Sequence, residues 1–315
     1  MLNNNFFNNF IRSILKIPSL PFSLKLKPSH KELEIINNIK LRLHYNEKDE
    51  CFKDYNDFKR HVLKVLKSKN FYSFLRDDEI SNVMFVNNRL YIIKELFYLI
   101  KKLSLKKFML LKENNIGRPL KFFLFPYTSG NKIHHLYHLY QFYDYKNEEI
   151  NQKTINEYDL IFEFGGGYGN NAQLINKMSF KNTFIIFDLN EISYMQEYYL
   201  KNTINSNIVN NNGEIIENKI NLINNIDIIK NLENKYKKIL FISCWALSET
   251  PISLRENFRE LINKSDLLIA AQEYFMNVNN LDYFNGITKN FKNKKIIERK
   301  IGFEKHYYYF RNTKN

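Results

Sequence analysis

Four of the nine glycines in this 315-residue chain fall within five positions, and this cluster constrains the fold more than any other feature. Gly165, Gly166, Gly167 and Gly169 follow an apolar run at 160–162 and precede a helical pattern. They predict a tight turn between the first strand of a sheet and the next helix. Glycines there let the backbone pass close to a ligand, and the N–H groups of the helix can hold a nucleotide-like cofactor. A purely structural turn is the simpler alternative.

The spacing of the glycines argues against a dinucleotide cofactor. A dinucleotide-binding turn has the pattern G-x-G-x-x-G, which requires a glycine where this chain has Asn170. A dehydrogenase is therefore the weaker interpretation. The second predicted strand ends in Asp188, 25 positions after Glu163. A carboxylate there can accept hydrogen bonds from both ribose hydroxyls, and an exposed aspartate at a strand end is the simpler alternative.

From Tyr158 onward, short β-rich runs alternate with helical patterns. This alternation predicts a parallel, doubly wound sheet. Two strand-like pieces around Gly302 predict an antiparallel hairpin at the C-terminal end. The fold class expected from the sequence is therefore α/β, with a Rossmann-like sheet.

The chain before this alternation has a helical pattern. Residues 1–30 hold three of the six prolines and are expected to lack regular structure. Apolar residues at three- and four-residue spacing then predict amphipathic helices at 32–45, 55–66 and 82–103.

We accordingly divide the chain into a helical N-terminal region, residues 1–118, and a sheet domain, residues 119–315. The first part of that domain, residues 119–150, is expected to cap the cofactor turn and contact the substrate. Its sequence KFFLF at 121–125 predicts a short strand, and IHHLYHLYQFY at 133–143 predicts a helix.

Charge and apolar patterning narrow the classes of partner. The formal net charge is +14, with most of the excess in the first 150 residues, which suggests a nucleic acid or an anionic membrane surface. The chain is also rich in Lys, Asn and Ile, so compositional drift can supply part of this charge. The longest apolar run, 90–100, is broken by Lys94 and Glu95 and is shorter than the roughly 18 residues of a membrane helix. Without a signal-peptide pattern, a cytoplasmic protein is expected, with Cys51 and Cys244 as free thiols.

Peripheral contact with a membrane stays open in this interpretation. Four lysines could contact a phosphorylated or lipid-linked donor, although a solvated helix face explains them more simply: Lys101, Lys102, Lys106 and Lys107.

The string EFGGGYG, beginning at Glu163, resembles motif I of the class I methyltransferases, which bind S-adenosylmethionine (SAM). Together with FIIFDLNEISYMQEYYLKN, CWALSETPISLREN, LLIAAQEYF and FPYTSGNKIHHLYHLYQF, it resembles a family of sugar O-methyltransferases met in surface-polysaccharide assembly. The resemblance covers roughly residues 117–310, with Asn190 where relatives commonly have proline. It implies SAM as cofactor and contacts from Glu163, Gly165, Gly166, Gly167, Tyr168, Gly169, Asp188 and Leu189.

Methyl transfer to an alcohol needs a group that removes the hydroxyl proton, and candidates are expected beyond the carboxyl ends of the strands. Glu249 follows one predicted strand and Gln272 follows the next. Glu249 is interpreted as a base or, equally, as part of a helix N-cap. Gln272 is interpreted as a substrate contact.

Three histidines lie within five residues of the predicted cap helix. His134 and His135 are candidate bases, and His138, like Tyr127 nearby, is a candidate substrate contact. Metal ligation and simple packing are the alternatives for the histidines, and no acidic third ligand is visible nearby, so no metal site is assigned. The predicted function is a SAM-dependent O-methyltransferase acting on a sugar, nucleotide sugar or glycan. A basic RNA-directed methyltransferase, or a nucleic-acid-binding protein on the same fold, is the alternative.

Overall fold

A computed structural model describes residues 27–43, 55–301 and 304–313. Most of the predicted irregular segment 1–30, together with Cys51 and Gly302, lies outside these residues. The strands are β1 (Leu160–Phe164), β2 (Thr183–Phe187), β3 (Val209–Asn210), β4 (Ile220–Ile223), β5 (Ile239–Cys244), β6 (Asp266–Gln272), β7 (Tyr274–Phe275), β8 (Val278–Asn279), β9 (Lys294–Ile301) and β10 (Glu304–Arg311).

Eight of these strands form one sheet in the order β3-β4-β2-β1-β5-β6-β10-β9. The strands from β3 to β6 pair in parallel, and β10 runs antiparallel to both of its neighbours. This arrangement confirms the predicted doubly wound, Rossmann-like sheet with its antiparallel C-terminal hairpin. The strand order reverses between β1 and β5, so the carboxyl end of β1 lies at the position where such sheets bind their ligands.

Helices cover the sheet and make up most of what the structure describes of the N-terminal region, which confirms the predicted helical character of that part of the chain. Their bounds are α1 (His30–Arg42), α2 (Asn56–Lys67), α3 (Asp78–Met84), α4 (Tyr91–Lys102), α5 (Leu105–Phe108), α6 (Gly130–Tyr145), α7 (Gln152–Ile155), α8 (Asn170–Lys177), α9 (Asn190–Thr203), α10 (Ile226–Ile229), α11 (Leu232–Lys235), α12 (Ile252–Glu256), α13 (Arg259–Lys264) and α14 (Asn280–Thr288). Short 3₁₀ turns span Phe71–Arg76, Met109–Leu111, Ser206–Ile208 and Ala246–Glu249.

The N-terminal helices pack directly on the sheet domain through α9. The Phe71 and Tyr198 rings lie 4.9 Å apart between centroids. The Tyr198 hydroxyl donates to Glu32 at 2.7 Å, and Arg118 pairs with the same carboxylate at 3.0 Å. One continuous cluster of buried apolar side chains includes both regions.

Two sequence predictions of local structure are wrong. The predicted helix 82–103 is broken between α3 and α4, because the start of α6 packs against the break. There the Val86 N–H donates to Asn131 Oδ1 at 3.0 Å, and a Cβ on Gly130 would lie 2.6 Å from the Val86 carbonyl oxygen. The predicted strand 121–125 is a pair of turns, because Phe125 N–H bonds back to the Phe122 carbonyl at 3.1 Å.

Among the described residues, no helix has both the length and the apolar character needed to cross a bilayer. Cys244, the described cysteine, is a free thiol at the end of β5.

Candidate functional site

The glycine turn joins β1 to α8 and has no room for a side chain at Gly165 or Gly166. A Cβ on Gly165, whose φ is +70°, would lie 2.0 Å from the Ala246 Cβ. A Cβ on Gly166 would lie 2.5 Å from the Ile186 side chain. The backbone of the turn is therefore pressed against β2 and against the segment after β5, which leaves its remaining face open to a ligand.

Two carboxylates lie beside this turn. Asn171 donates to Glu163 Oε1 at 2.8 Å, and Glu163 Oε2 is buried without a partner. Burial raises the pKa of Glu163 to about 7, against the opposing effect of the Asn171 hydrogen bond. Asp188 accepts from the Leu189 N–H and from Gln196 Nε2, both at 2.9 Å. Burial raises the pKa of Asp188 to about 7 as well.

A cavity of about 800 Å³ opens over the carboxyl ends of β1, β2 and β5. Of the eight cofactor contacts predicted from the sequence, all except Gly169 border it. Gly169 instead precedes α8, with Leu200 packed where a Cβ would be. Residues of the N-terminal region also line the cavity, among them Tyr55, Phe58, Met84, Phe85 and Tyr91. The cover over the turn is thus formed largely by residues 55–91, whereas the expected cap segment 119–150 contributes Asn131, His134 and His135.

The residues of this cavity fit SAM. The absence of a Cβ at Gly165 and Gly166 lets the turn pack against Ala246 and Ile186, and both glycines line the cavity with backbone alone. Glu163 Oε2 and Asn171 Oδ1 are buried acceptors without partners, as an ammonium group or a hydroxyl donor requires. Asp188 lines the same cavity, and carboxylate oxygens are the acceptors that ribose hydroxyls require.

His134, on α6, also lines the cavity, and its ring is held by Glu95 of α4; we call the part of the site around this ring the imidazole end. Its Nδ1 is 2.9 Å from each oxygen of the fully buried Glu95 carboxylate. Arg299 of β9 also donates to Glu95. Because the carboxylate accepts at Nδ1, that nitrogen carries the ring proton, and the unpartnered Nε2 presents a lone pair. This is the arrangement a general base requires.

His135 has the opposite tautomer. Lys132 Nζ donates to Asn170 Oδ1 at 3.1 Å, which turns the Asn170 amide nitrogen toward His135 Nδ1 at 3.0 Å. Nδ1 therefore accepts and Nε2 carries the proton. Burial lowers the pKa of His135 to about 3, with His134 and Lys132 adding to the effect. His135 borders the cavity as a neutral hydrogen-bond donor.

Glu249 also borders the cavity, and burial raises the pKa of its carboxyl group. The helix-capping alternative is not observed, since Pro251 precedes α12 and no side chain caps that helix. Glu249 is therefore an acidic group, in addition to Glu163 and Asp188, that lines the cavity and is available to a substrate. Tyr168 borders the cavity too, and its hydroxyl accepts from Asn131 at 3.0 Å.

The three residues predicted to contact substrate do not border the cavity. His138 is buried beneath it, with Nε2 3.2 Å from the Tyr308 hydroxyl. Tyr127 lies apart, its hydroxyl 3.2 Å from the Met109 sulfur and its ring stacked on Phe108. Gln272 pairs with His306 in the sheet register, and it is His306 that reaches the cavity. No group of three His, Cys, Asp or Glu side chains in the described part of the chain could hold a metal ion.

Three further residues of the site were missed: Glu95, Trp245 and His306. Trp245 had a usable signal, as the single tryptophan of the chain at the end of the predicted strand KILFISCW. His306 had a weaker signal. Because β10 is antiparallel, its first residues lie at the rim where the parallel strands end. Glu95 had none, since a lone glutamate inside an apolar helix pattern does not reveal its partner.

No protein-family model and no curated protein match the sequence. Among solved structures, the chain is similar to PigF with SAH, at 10% identity and a TM-score of 0.34 over 99% of this chain and 100% of that one. An O-methyltransferase family protein from Burkholderia thailandensis matches at 10% identity and a TM-score of 0.30, over 92% and 100% of the two chains.

A Pyrococcus horikoshii protein described as an RNA methyltransferase matches at 12% identity and a TM-score of 0.33, over 57% and 82% of the two chains. Similarity at this level identifies neither a family nor a methyl acceptor, so both have to come from the residues of the site.

Proposed function

We propose that this protein is a cytoplasmic, SAM-dependent O-methyltransferase whose acceptor is a hydroxyl of a sugar, a nucleotide sugar or a glycan. One observation carries the proposal: a single cavity is lined both by the glycine turn with Asp188 and by His134, whose oriented imidazole has an unpartnered nitrogen. In this proposal Asp188, Glu163 and the turn hold the cofactor, and the imidazole end holds the acceptor.

SAM, when bound, would supply a sulfonium methyl group: the hydroxyl oxygen would bond to the methyl carbon as the carbon–sulfur bond breaks, and the demethylated cofactor would leave. The protein must align that hydroxyl and take its proton. His134 Nε2 is the base in this proposal, and Glu95 keeps the ring in the tautomer that leaves Nε2 free. Glu249 is the alternative base, because a buried carboxyl with a raised pKa holds a proton more readily.

A sugar acceptor is supported by the mixture of groups around the imidazole end. His135 offers a ring N–H, His134 a ring lone pair and Glu249 a carboxylate, within a wall that also contains Tyr91 and Trp245. Several polar contacts set among aromatic faces suit a molecule with many hydroxyls and apolar C–H patches. In this proposal residues 1–118 cover the site and residues 119–315 bind the cofactor, so both regions are needed for turnover.

Calorimetry with SAM and with its demethylated product tests the cofactor. Asp188→Ala should weaken SAM binding by about 10- to 100-fold, because charge-assisted hydrogen bonds contribute about 1.5–3 kcal/mol. Tyr127→Phe, outside the cavity, is the control. Absence of SAM binding by the unaltered chain would contradict the proposal that the protein is a SAM-dependent enzyme.

Mass spectrometry of nucleotide sugars and oligosaccharides incubated with labelled SAM tests the acceptor. Transfer of one labelled methyl group to a sugar oxygen is the expected result. A panel that stays unlabelled, combined with salt-sensitive binding to RNA in gel shifts, would replace the sugar acceptor with the RNA alternative.

A further inference from the structure

His306 is a buried imidazole at the start of β10 that borders the same cavity as His134. The Trp245 indole Nε1 donates to His306 Nδ1 at 2.7 Å. An indole nitrogen can only donate, so Nδ1 of His306 must be the acceptor nitrogen and its ring proton must be on Nε2. His306 therefore presents a hydrogen-bond donor.

Within the described part of the chain, the donor of His306 has no acceptor within hydrogen-bonding distance. Its Nε2 is buried and unpartnered, and a Glu304 carboxylate oxygen lies 3.8 Å away, beyond hydrogen-bond reach. Burial lowers the pKa of His306 to about 4, with smaller effects from His134 and Arg299. The ring is therefore neutral near pH 7 and keeps the tautomer that the indole imposes.

His134 has the complementary arrangement. Glu95 accepts at its Nδ1, and its Nε2 is a buried lone pair without a partner. One cavity thus contains two orphaned imidazole nitrogens of opposite hydrogen-bonding character. Leaving either nitrogen unpaired costs about 1–3 kcal/mol, which a ligand with matching groups would recover.

The Trp245 indole contacts the imidazole rings of both His134 and His306. His134 stacks on the indole at 5.1 Å between centroids, and His306 meets it edge-on at 5.8 Å. The backbone of Trp245 has φ +68°, and its N–H donates to the Ala270 carbonyl at 2.7 Å. A non-glycine residue in that conformation is held against a cost of about 1–3 kcal/mol, as is found at functional sites.

We propose that His134 and His306 form an acceptor–donor pair that recognises a hydroxyl together with a second oxygen on a neighbouring carbon. This inference rests on the proposed function and narrows its substrate class to vicinal diols and similar hydroxy-oxygen pairs. The hydroxyl to be methylated donates to His134 Nε2, and the neighbouring oxygen accepts from His306 Nε2–H. An acceptor with one isolated hydroxyl would leave the His306 donor buried and unpaired.

Nitrogen NMR of the full chain with ¹⁵N-labelled histidine tests the pair without any acceptor. The expected spectra place the proton on Nε2 in His306 and on Nδ1 in His134. Variants that each replace one histidine assign the resonances. Trp245→Phe, which removes the indole donor, should release the His306 tautomer. A proton on Nδ1 of His306 or on Nε2 of His134 in the unaltered chain would overturn the inference, whether or not the chain transfers methyl groups.

A matched pair of variants tests recognition. His306→Gln keeps an amide donor near the position of Nε2, whereas His306→Asn keeps only the position of Nδ1. With an acceptor from the sugar panel, His306→Asn should lower kcat/KM at least tenfold and His306→Gln should restore most of it, with SAM affinity equal in both.

The deoxy analogue of that acceptor, lacking the neighbouring hydroxyl, completes the test. The unaltered chain should disfavour it at least tenfold, and His306→Asn should lose that discrimination. Equal use of both acceptors by the unaltered chain, or discrimination that persists in His306→Asn, would overturn the inference while leaving the methyltransferase proposal intact.

Discussion

The two ends of the cavity are built in different ways. The turn end comes from short contiguous segments, 163–169 and 188–189, each at the end of a strand. The imidazole end combines residues from four different elements with Trp245, which lies between β5 and the next 3₁₀ turn; the four are Glu95, His134, Arg299 and His306. Arg299 and Glu95 are 204 positions apart, and Trp245 and His306 are 61 apart.

This difference has a physical consequence. At the turn end the backbone makes the site, so a single added Cβ should damage it. At the imidazole end the hydrogen-bond partners make the site, so exchanges that keep the shape and change one nitrogen or oxygen should be decisive. Substitutions at the two ends, together with changes of pH, separate these two kinds of sensitivity.

The largest effect is expected for Gly165→Ala. The new Cβ would overlap the Ala246 Cβ, and the φ of +70° adds strain of about 1–2 kcal/mol. We expect loss of SAM binding and a lower melting temperature. Gly213→Ala is the matched control, since Gly213 has φ +77° and nothing within 4 Å of the position that its Cβ would take. Similar losses in both variants would show that strain alone, and not the packed turn, accounts for the effect.

At the imidazole end, His134→Asn should lower turnover by about 100- to 10,000-fold with SAM affinity little changed. The Asn amide can still donate to Glu95, but nothing replaces Nε2. Initial rates with labelled SAM and calorimetry on the same preparations measure the two quantities.

His135→Ala and Glu249→Gln complete that series. His135→Ala should lower turnover less than His134→Asn does, because His135 Nε2 is a donor and cannot take a proton while the ring is neutral. If all three variants keep near-normal turnover, the proton leaves by another route and the assignment of a base is wrong.

SAM affinity should depend on pH through Asp188 at the turn end. Burial raises the pKa of Asp188 to about 7, so its ionised form, which accepts hydroxyl donors, becomes predominant only above that pH. SAM affinity should therefore rise between about pH 6 and 8. Calorimetry over this range measures the rise, and Asp188→Asn should flatten it.

Stability of the free protein should change in the opposite direction. An acid whose folded pKa exceeds its unfolded pKa stabilises the fold fully below the unfolded value, and that contribution is lost as pH rises through the folded value. Glu163 and Asp188 should both act this way between about pH 4 and 7. A melting temperature that rises across this window in the unaltered chain but not in Glu163→Gln would contradict the assignment.

The smallest effect is expected for Tyr127→Phe. The Tyr127 hydroxyl contacts the Met109 sulfur and lies away from the cavity. Turnover should stay within about twofold of the unaltered chain, as for surface changes away from a site. A larger loss in steady-state rates would return Tyr127 to the substrate site predicted from the sequence.

Much of the fold could be predicted because it depends on local patterns. The glycine turn, the alternation of strands and helices, and the acidic residue after β2 are each contained in a few neighbouring residues. The break between α3 and α4 could not be predicted, because Asn131 and Gly130, some 45 positions later, determine it. The turn at 121–125 was missed because its apolar residues have strand propensity while its hydrogen bonds close locally.

The sequence by itself determined the class of sheet and the position of the turn, since these follow from backbone geometry and the periods of 2 and 3.6 residues. Tertiary structure alone decided which histidine nitrogen is free. Residue type leaves the imidazole proton on either nitrogen, and only the partner brought by folding selects one. Glu95 selects for His134, Asn170 for His135 and Trp245 for His306.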